Sequence, residues 1–146
     1  MARRVVVDAS VAVKWFLPAE DGGPQALDLL NLHVAGALEL TVPSLFFYEV
    51  ANALLVAVRR GRLSKEDYTR ALGGLFNLGL TVVPLEKFWR QAAAMAVTYD
   101  RSVYDAAYLG LAAAEGLSLV TADRKLFNAV KDCLPWVKWV TDYYSP

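Results

Sequence analysis

One cysteine and one histidine in 146 residues set the first limits on this chain. Cys133 alone excludes an internal disulfide and any zinc cage built on cysteines. His33 alone excludes most histidine-based catalysis and histidine-rich metal sites. Fifteen Lys and Arg balance fifteen Asp and Glu, so no strongly basic surface advertises nucleic acid. A nucleic-acid enzyme of this composition would need metal ions to supply the missing positive charge. Long apolar runs are missing too. The longest uncharged stretch, Ala71–Leu85, carries three glycines, Asn77, Thr81 and Pro84, far from the ~20 apolar residues of a membrane span. Arg3 and Arg4 precede only three valines before Asp8, too few for the ~7–15-residue apolar core of a signal peptide.

Apolar surface is what the chain has in quantity. Counting glycine and leaving out tyrosine, about 58% of residues are apolar, against a usual ~45–50%. That is ample to offset conformational entropy and excludes disorder. The length matches a prior of about 150 residues per domain. The expectation is a single soluble, cytoplasmic domain over residues 1–146.

Short β-branched runs alternate with amphipathic stretches. Arg4–Asp8 reads as a strand buried on both faces, and Ser10–Leu17 as a short helix stopped by Pro18. A helix from Pro24 to about Ala35 follows, then a strand at Leu38–Val42. Ser44 is expected to cap a helix running to Arg60 and stopped by Gly61. Ser64 with Asp67 resembles a capping box for a helix to about Asn77. Leu80–Val83 reads as a strand, and Glu86–Tyr99 and Ser102–Glu115 as helices. Leu117–Thr121 is a strand, Arg124–Lys131 a short helix, and Trp136–Val140 a fifth, edge strand. Such alternation predicts a mostly parallel sheet with right-handed crossovers and helices on both faces. The ligand site of such a sheet lies beyond the carboxyl ends of its strands.

Most of the acids sit where water reaches them, but four do not. Asp8 ends the first strand, and Asp123 follows the fourth by two residues. Glu49 lies among Leu45, Phe46, Asn52 and Ala53 at helical spacing, on a face expected to be buried. Asp105 sits in the first turn of a strongly apolar helix. All four can project toward one edge of a parallel sheet. Singly, Asp8 and Asp123 have local roles as turn or cap residues, and Asp105 could complete a capping box with Ser102. Glu49 has no such role, and a buried unpaired carboxylate is costly. Four anions in one pocket raise one another's pKa. A divalent cation relieves this, and oxygen-only ligands favour Mg2+ or Mn2+. Carboxylate-bound metals of this kind serve in-line attack on phosphodiesters.

These residues lie in four strings. They are Val6-Val-Asp8-Ala-Ser10-Val-Ala-Val-Lys14-Trp-Phe, Pro43-Ser-Leu-Phe-Phe-Tyr-Glu49-Val-Ala-Asn52-Ala-Leu, Ser102-Val-Tyr104-Asp105-Ala-Ala-Tyr-Leu-Gly-Leu-Ala and Leu119-Val-Thr121-Ala-Asp123-Arg-Lys125-Leu. In order and spacing they resemble the PIN-domain proteins, and among them the VapC-type toxin ribonucleases. The resemblance implies a three-layer α/β/α sandwich around a central, mostly parallel sheet of four to five strands. It also implies Mg2+- or Mn2+-dependent hydrolysis of RNA. Asp8 and Asp105 would be the principal metal ligands and catalytic residues, with Glu49 and Asp123 completing the site. Ser10 and Thr121 would orient Asp8 and Asp123. The implied partners are an RNA substrate, a small antitoxin protein and a second copy of the chain, with no membrane. Two rival functions share the acidic edge. One is an RNA-processing or DNA nuclease with no toxin role, and the other a non-enzymatic module docking a basic partner.

Four features outside the strings carry expectations of their own. Arg59, Arg60 and Arg62 close a helix, where cations are favoured. Lys14 and Arg124 lie nearer the acidic edge and are better placed to contact phosphate. Trp15, Phe16, Phe46, Phe47 and Tyr48 are core residues or an antitoxin groove. Trp136, Trp139, Tyr143 and Tyr144 crowd the C-terminus, as edge-strand packing or a dimer contact. His33 is expected to be structural and Cys133 a small buried filler.

Overall fold

A computed structural model describes residues 2–143, so Tyr144 lies outside the described residues. Five strands form one sheet, β1 (Arg3–Val7), β2 (Leu38–Pro43), β3 (Thr81–Val83), β4 (Leu119–Thr121) and β5 (Val137–Trp139). Their spatial order is β3-β2-β1-β4-β5, and every pairing is parallel. Val5, Val6 and Val7 are all fully buried. Successive strand residues face opposite ways, so both faces of the sheet are covered. The continuous valine run therefore has the burial its pattern predicts.

The helices are α1 (Ala9–Phe16), α2 (Gly23–Val34), α3 (Phe46–Arg59), α4 (Lys65–Phe76), α5 (Trp89–Tyr99), α6 (Val103–Glu115) and α7 (Arg124–Val130). Asp8 caps α1, Ser64 caps α4, Ser102 caps α6 and Asp123 caps α7. Pro18 ends α1, because the residue before a proline avoids helical geometry. Trp15 ties α1 to α2 by donating its Nε1–H to the Ala26 carbonyl at 2.9 Å. His33 is structural, as expected. Its Nδ1 accepts from the Leu40 amide at 3.1 Å, and Nε2 lies 2.7 Å from the Leu78 carbonyl. With Nδ1 accepting, Nε2 carries the proton, and the ring bridges α2, β2 and the turn before β3.

Three local expectations need correction. Leu45, not Ser44, precedes α3, and no side chain caps that helix. Glu86–Tyr99 is not continuous: a 3-10 turn at Leu85–Lys87 is separated from α5 by Phe88 at φ −146°. Phe88 is almost fully buried, so anchoring its ring in the core outweighs continuing the helix. Cys133 is exposed rather than a buried filler.

The helix α6 packs on β1, β2 and β4, with α5 against it. Residues Ala106 to Ala112 are all buried, the mark of a helix enclosed on every side. Gly110 permits this close approach. A Cβ there would meet the Ala92 backbone N at 2.5 Å and its Cα at 2.6 Å. Gly73 is the opposite case, exposed on α4 with nothing within 4 Å. Gly110→Ala should therefore lower stability by ~1–3 kcal/mol through overpacking, while Gly73→Ala should raise it by ~0.4–1 kcal/mol. Urea denaturation of the two variants beside the wild type measures both. Equal responses would remove the close α5–α6 packing as the reason for Gly110.

Candidate active site

At the carboxyl edge of the sheet, Asp8 is the most constrained of the four acids. It follows β1 and is only 4% exposed. Its Oδ1 accepts from the Val11 amide at 3.3 Å, capping α1, and from the Ser10 hydroxyl. Its Oδ2 accepts from the Thr121 hydroxyl. Each hydroxyl in turn accepts a backbone amide, Ala122 N to Ser10 at 2.9 Å and Asp123 N to Thr121 at 3.0 Å. The turn carrying Asp123 is thus folded around the Asp8 carboxylate. Both Ser10 and Thr121 were expected to orient acids. The structure gives both hydroxyls to Asp8, and Asp123 is held through its backbone.

Asp123 caps α7, its Oδ1 accepting from Lys125 N at 3.0 Å and Leu126 N at 3.2 Å. Asp105 lies in the first turn of α6, where its amide donates to the Ser102 hydroxyl at 3.1 Å. Its carboxylate lies 3.9 Å from Arg101. Glu49 is half-buried on α3 and does have a partner. The Tyr108 hydroxyl donates to its Oε1 at 2.6 Å. Tyr108 is one turn beyond Asp105 on α6 and almost fully buried, and burial pushes its phenol pKa far up. Sequence reasoning overlooked it. The available signal was its place three residues after Asp105, on the face that reaches the site.

Three of the acids are shifted by burial and by neighbouring charge. Burial raises the Asp8 pKa to about 6, its hydrogen bonds oppose this, and the Asp123 charge adds to it. Burial likewise raises Glu49, with Asp105 and Asp123 adding to the rise against the Tyr108 bond. Asp105 is raised by burial and by Asp123, against Arg101. The Asp123 charge thus acts on Asp8, Glu49 and Asp105, and the Asp105 charge acts on Glu49. Among the described residues no three His, Cys, Asp or Glu side chains close into a ready ligand cage. The donor set still fits a hard divalent ion. All donors are oxygens, the anions repel one another, and hydrogen bonds already occupy part of Asp8 and Asp123. An ion held here would keep several water ligands, as Mg2+ does.

Other expectations resolve around this edge. Lys14 pairs with Glu20 at 3.6 Å, as does Arg62 at 2.9 Å. Trp15 and Phe46 belong to the core. Phe47 is partly buried and stacks on exposed Phe76 at 5.0 Å, while Tyr48 is 80% exposed. A cavity of about 180 Å3 lies beside the edge, lined by Pro43, Leu45, Leu85, Phe88, Val103 and Tyr104 among others.

A parallel sheet with four coupled carboxylates at its carboxyl edge defines an acidic-site α/β protein, and residues 5–132 match the PIN domain. The chain belongs to the PIN-domain family. Ribonuclease VapC3 of Pyrobaculum aerophilum is 36% identical over 125 residues, covering 84% of this chain and 92% of that protein. The crystal structure of PAE2754, also from Pyrobaculum aerophilum, superposes with a TM-score of 0.67 at 26% identity, over 96% of this chain and 85% of that one. A toxin–antitoxin complex from Klebsiella pneumoniae shares the fold, with a TM-score of 0.59 at 17% identity over 92% and 95% of the two chains.

The raised Asp8 pKa has a testable sign. Between the ordinary value of 3.8 and about 6, the folded protein binds the proton that the unfolded chain has released. Stability of the metal-free protein therefore falls as pH rises through that window, and is regained on acidification. Asp8 contributes up to about 3 kcal/mol to this dependence. Urea midpoints in chelator at pH 7, 6 and 5 should rise toward acid for the wild type and flatten for Asp8→Asn. Parallel curves would show that Asp8 is not charged at a cost.

Proposed function

We propose that this chain is a divalent-metal-dependent endoribonuclease acting as the toxin of a toxin–antitoxin pair. What supports the reading is that Asp8 and Asp123 cap α1 and α7 at the carboxyl ends of β1 and β4, while Glu49 and Asp105 lie in the first turns of α3 and α6. The Asp123 charge acts on the other three. The ribonuclease name of the 36%-identical relative supports the activity. A bound Mg2+ or Mn2+ would neutralise these anions, lower the pKa of an attacking water and stabilise the leaving oxygen.

The chain's own part is positioning. Asp8 and Asp105 would be the principal ligands of such an ion, with Glu49 and Asp123 completing the set. Ser10, Thr121 and the α1 cap hold Asp8 in one rotamer, so no reorganisation is needed as charge develops. Tyr108 fixes Glu49 against α6. His33 is engaged elsewhere, so proton removal from water rests on the carboxylates and the metal.

A small antitoxin is the partner this reading implies. Of the aromatics considered for its groove, Tyr48 is exposed and Phe47 is partly buried, stacked on exposed Phe76. A second copy of the chain is the other expected partner, making a homodimer.

Wild type should cleave RNA with Mg2+ or Mn2+ and lose that activity in chelator. Asp105→Asn should reduce cleavage by more than ~100-fold, the upper range for losing only an outer-shell contact. It should also abolish the melting increase that the metal gives wild type. Its metal-free melting should be unchanged or higher, a shift of roughly 0–2 kcal/mol in favour of folding, because a repelling charge is gone. Full activity in chelator, or an active but destabilised Asp105→Asn, would sink the reading.

A further inference from the structure

Arg124 directly follows Asp123, and its guanidinium carbon lies 3.9 Å from the centroid of the Trp139 ring. The indole also packs on Phe127, at 5.5 Å between centroids. Trp139 ends β5 and pairs in register with Thr121 of β4. Val7 pairs with Val120, so Asp8, Thr121 and Trp139 stand on one rung across three neighbouring strands.

Lys14 and Arg101 are each committed to a carboxylate. Arg124 differs. Among the described residues it makes no ion pair and no side-chain hydrogen bond, and it is exposed. Its charge also sits in the first turn of α7, the end of a helix where a cation is disfavoured. The guanidinium lies over the Trp139 ring, and no partner among the described residues takes up its N–H donors. A planar fork held in that way matches two oxygens of one phosphate.

We infer that Arg124, laid on Trp139, forms a subsite that grips a phosphodiester of the RNA strand beside the one being cleaved. This rests on the ribonuclease reading above. Trp139 lies two strand spacings from Asp8, roughly 10 Å at ~4.8 Å per strand, so an arginine laid on its ring stands to one side of the Asp8 carboxylate, which suits a neighbouring phosphate. Arg124 therefore contributes to binding and register of the strand, and Trp139 is a positioning residue that orients it.

The test is binding of a short single-stranded RNA in chelator, followed by fluorescence anisotropy over a series of salt concentrations, beside cleavage kinetics in Mg2+. Arg124→Gln should weaken binding about tenfold or more and reduce the salt slope by about 0.7, one phosphate contact on a single strand. In cleavage the loss should fall on KM rather than kcat. Arg124→Lys should restore the salt slope but only part of the affinity. Trp139→Phe should weaken binding with the slope kept, because the charge remains. Arg59→Gln removes the same charge at the far end of α3 and should match wild type.

Binding and slope of Arg124→Gln equal to those of Arg59→Gln would overturn the subsite, as would a loss confined to kcat. Arg124 is exposed, and circular dichroism checks that each variant folds. If Arg124→Gln does not fold, Arg124→Lys decides: wild-type affinity in that variant overturns the fork. Wild type that binds RNA without cleaving it in either metal removes the ribonuclease reading, while the binding comparison still decides the subsite. Wild type that does not bind RNA at low salt removes both.

Discussion

A carboxylate taken almost wholly out of water must be compensated on every side, and Asp8 is that carboxylate. Leaving it without partners would cost several kcal/mol. The surrounding structure supplies the α1 amide, the Ser10 hydroxyl and the Thr121 hydroxyl. Those contacts join β1, α1 and the end of β4 at a single point. The same two hydroxyls accept the amides of Ala122 and Asp123, so the loop bearing the second aspartate takes its shape from the first. The positions of α7, Asp123 and Arg124 follow from that arrangement. A charge that looks like a liability of the core is what gives the sheet edge its geometry.

The same edge sets stability against function. Burial raises the pKa of Asp8, Glu49 and Asp105, and the Asp123 charge adds to each. An uncharged set would let the fold relax, yet on the proposed reading that charge is what would draw a divalent ion. The neutral overall balance of the chain belongs to the same picture. With no net positive charge to recruit RNA, the proposed reading leaves attraction to a bound ion and to locally placed cations such as Arg124. The protein holds its positive charge in small amounts at chosen places.

Much of the architecture was legible because strand and helix periods are local properties. The valine run before Asp8, the Ser64 and Ser102 caps and the Asp8 and Asp123 turn positions all read directly from neighbouring residues. What could not be read depends on partners distant in the chain. Glu49 looked like a buried anion without a partner because Tyr108 is 59 residues away. Phe88 breaks a stretch of good helix formers because the core, not the helix, claims its ring. Leu45 displaces Ser44 as the residue before α3, although Ser44 has the better capping chemistry. The pairing of Arg124 with Trp139 depends on β5 lying beside β4, which no local pattern encodes. The four acids were visible by position, whereas their hydroxyl and phenol supports were only partly so.

The order of the strands also governs when the protein is complete during its own synthesis. β1 is made first, but it pairs with β4 on one side, and the Thr121 hydroxyl that holds Asp8 lies 113 residues downstream. At translation rates of ~5–20 residues per second, roughly 6–23 seconds separate the two. Until the segment around Thr121 has left the ribosome, Asp8 lacks one of its supports and the acidic cluster lacks a member. Pairing between such distant segments is slow to form. A nascent chain interrupted just before that point carries most of the core residues and no assembled site. The support of Asp8 thus waits on a strand made long after the one that carries it.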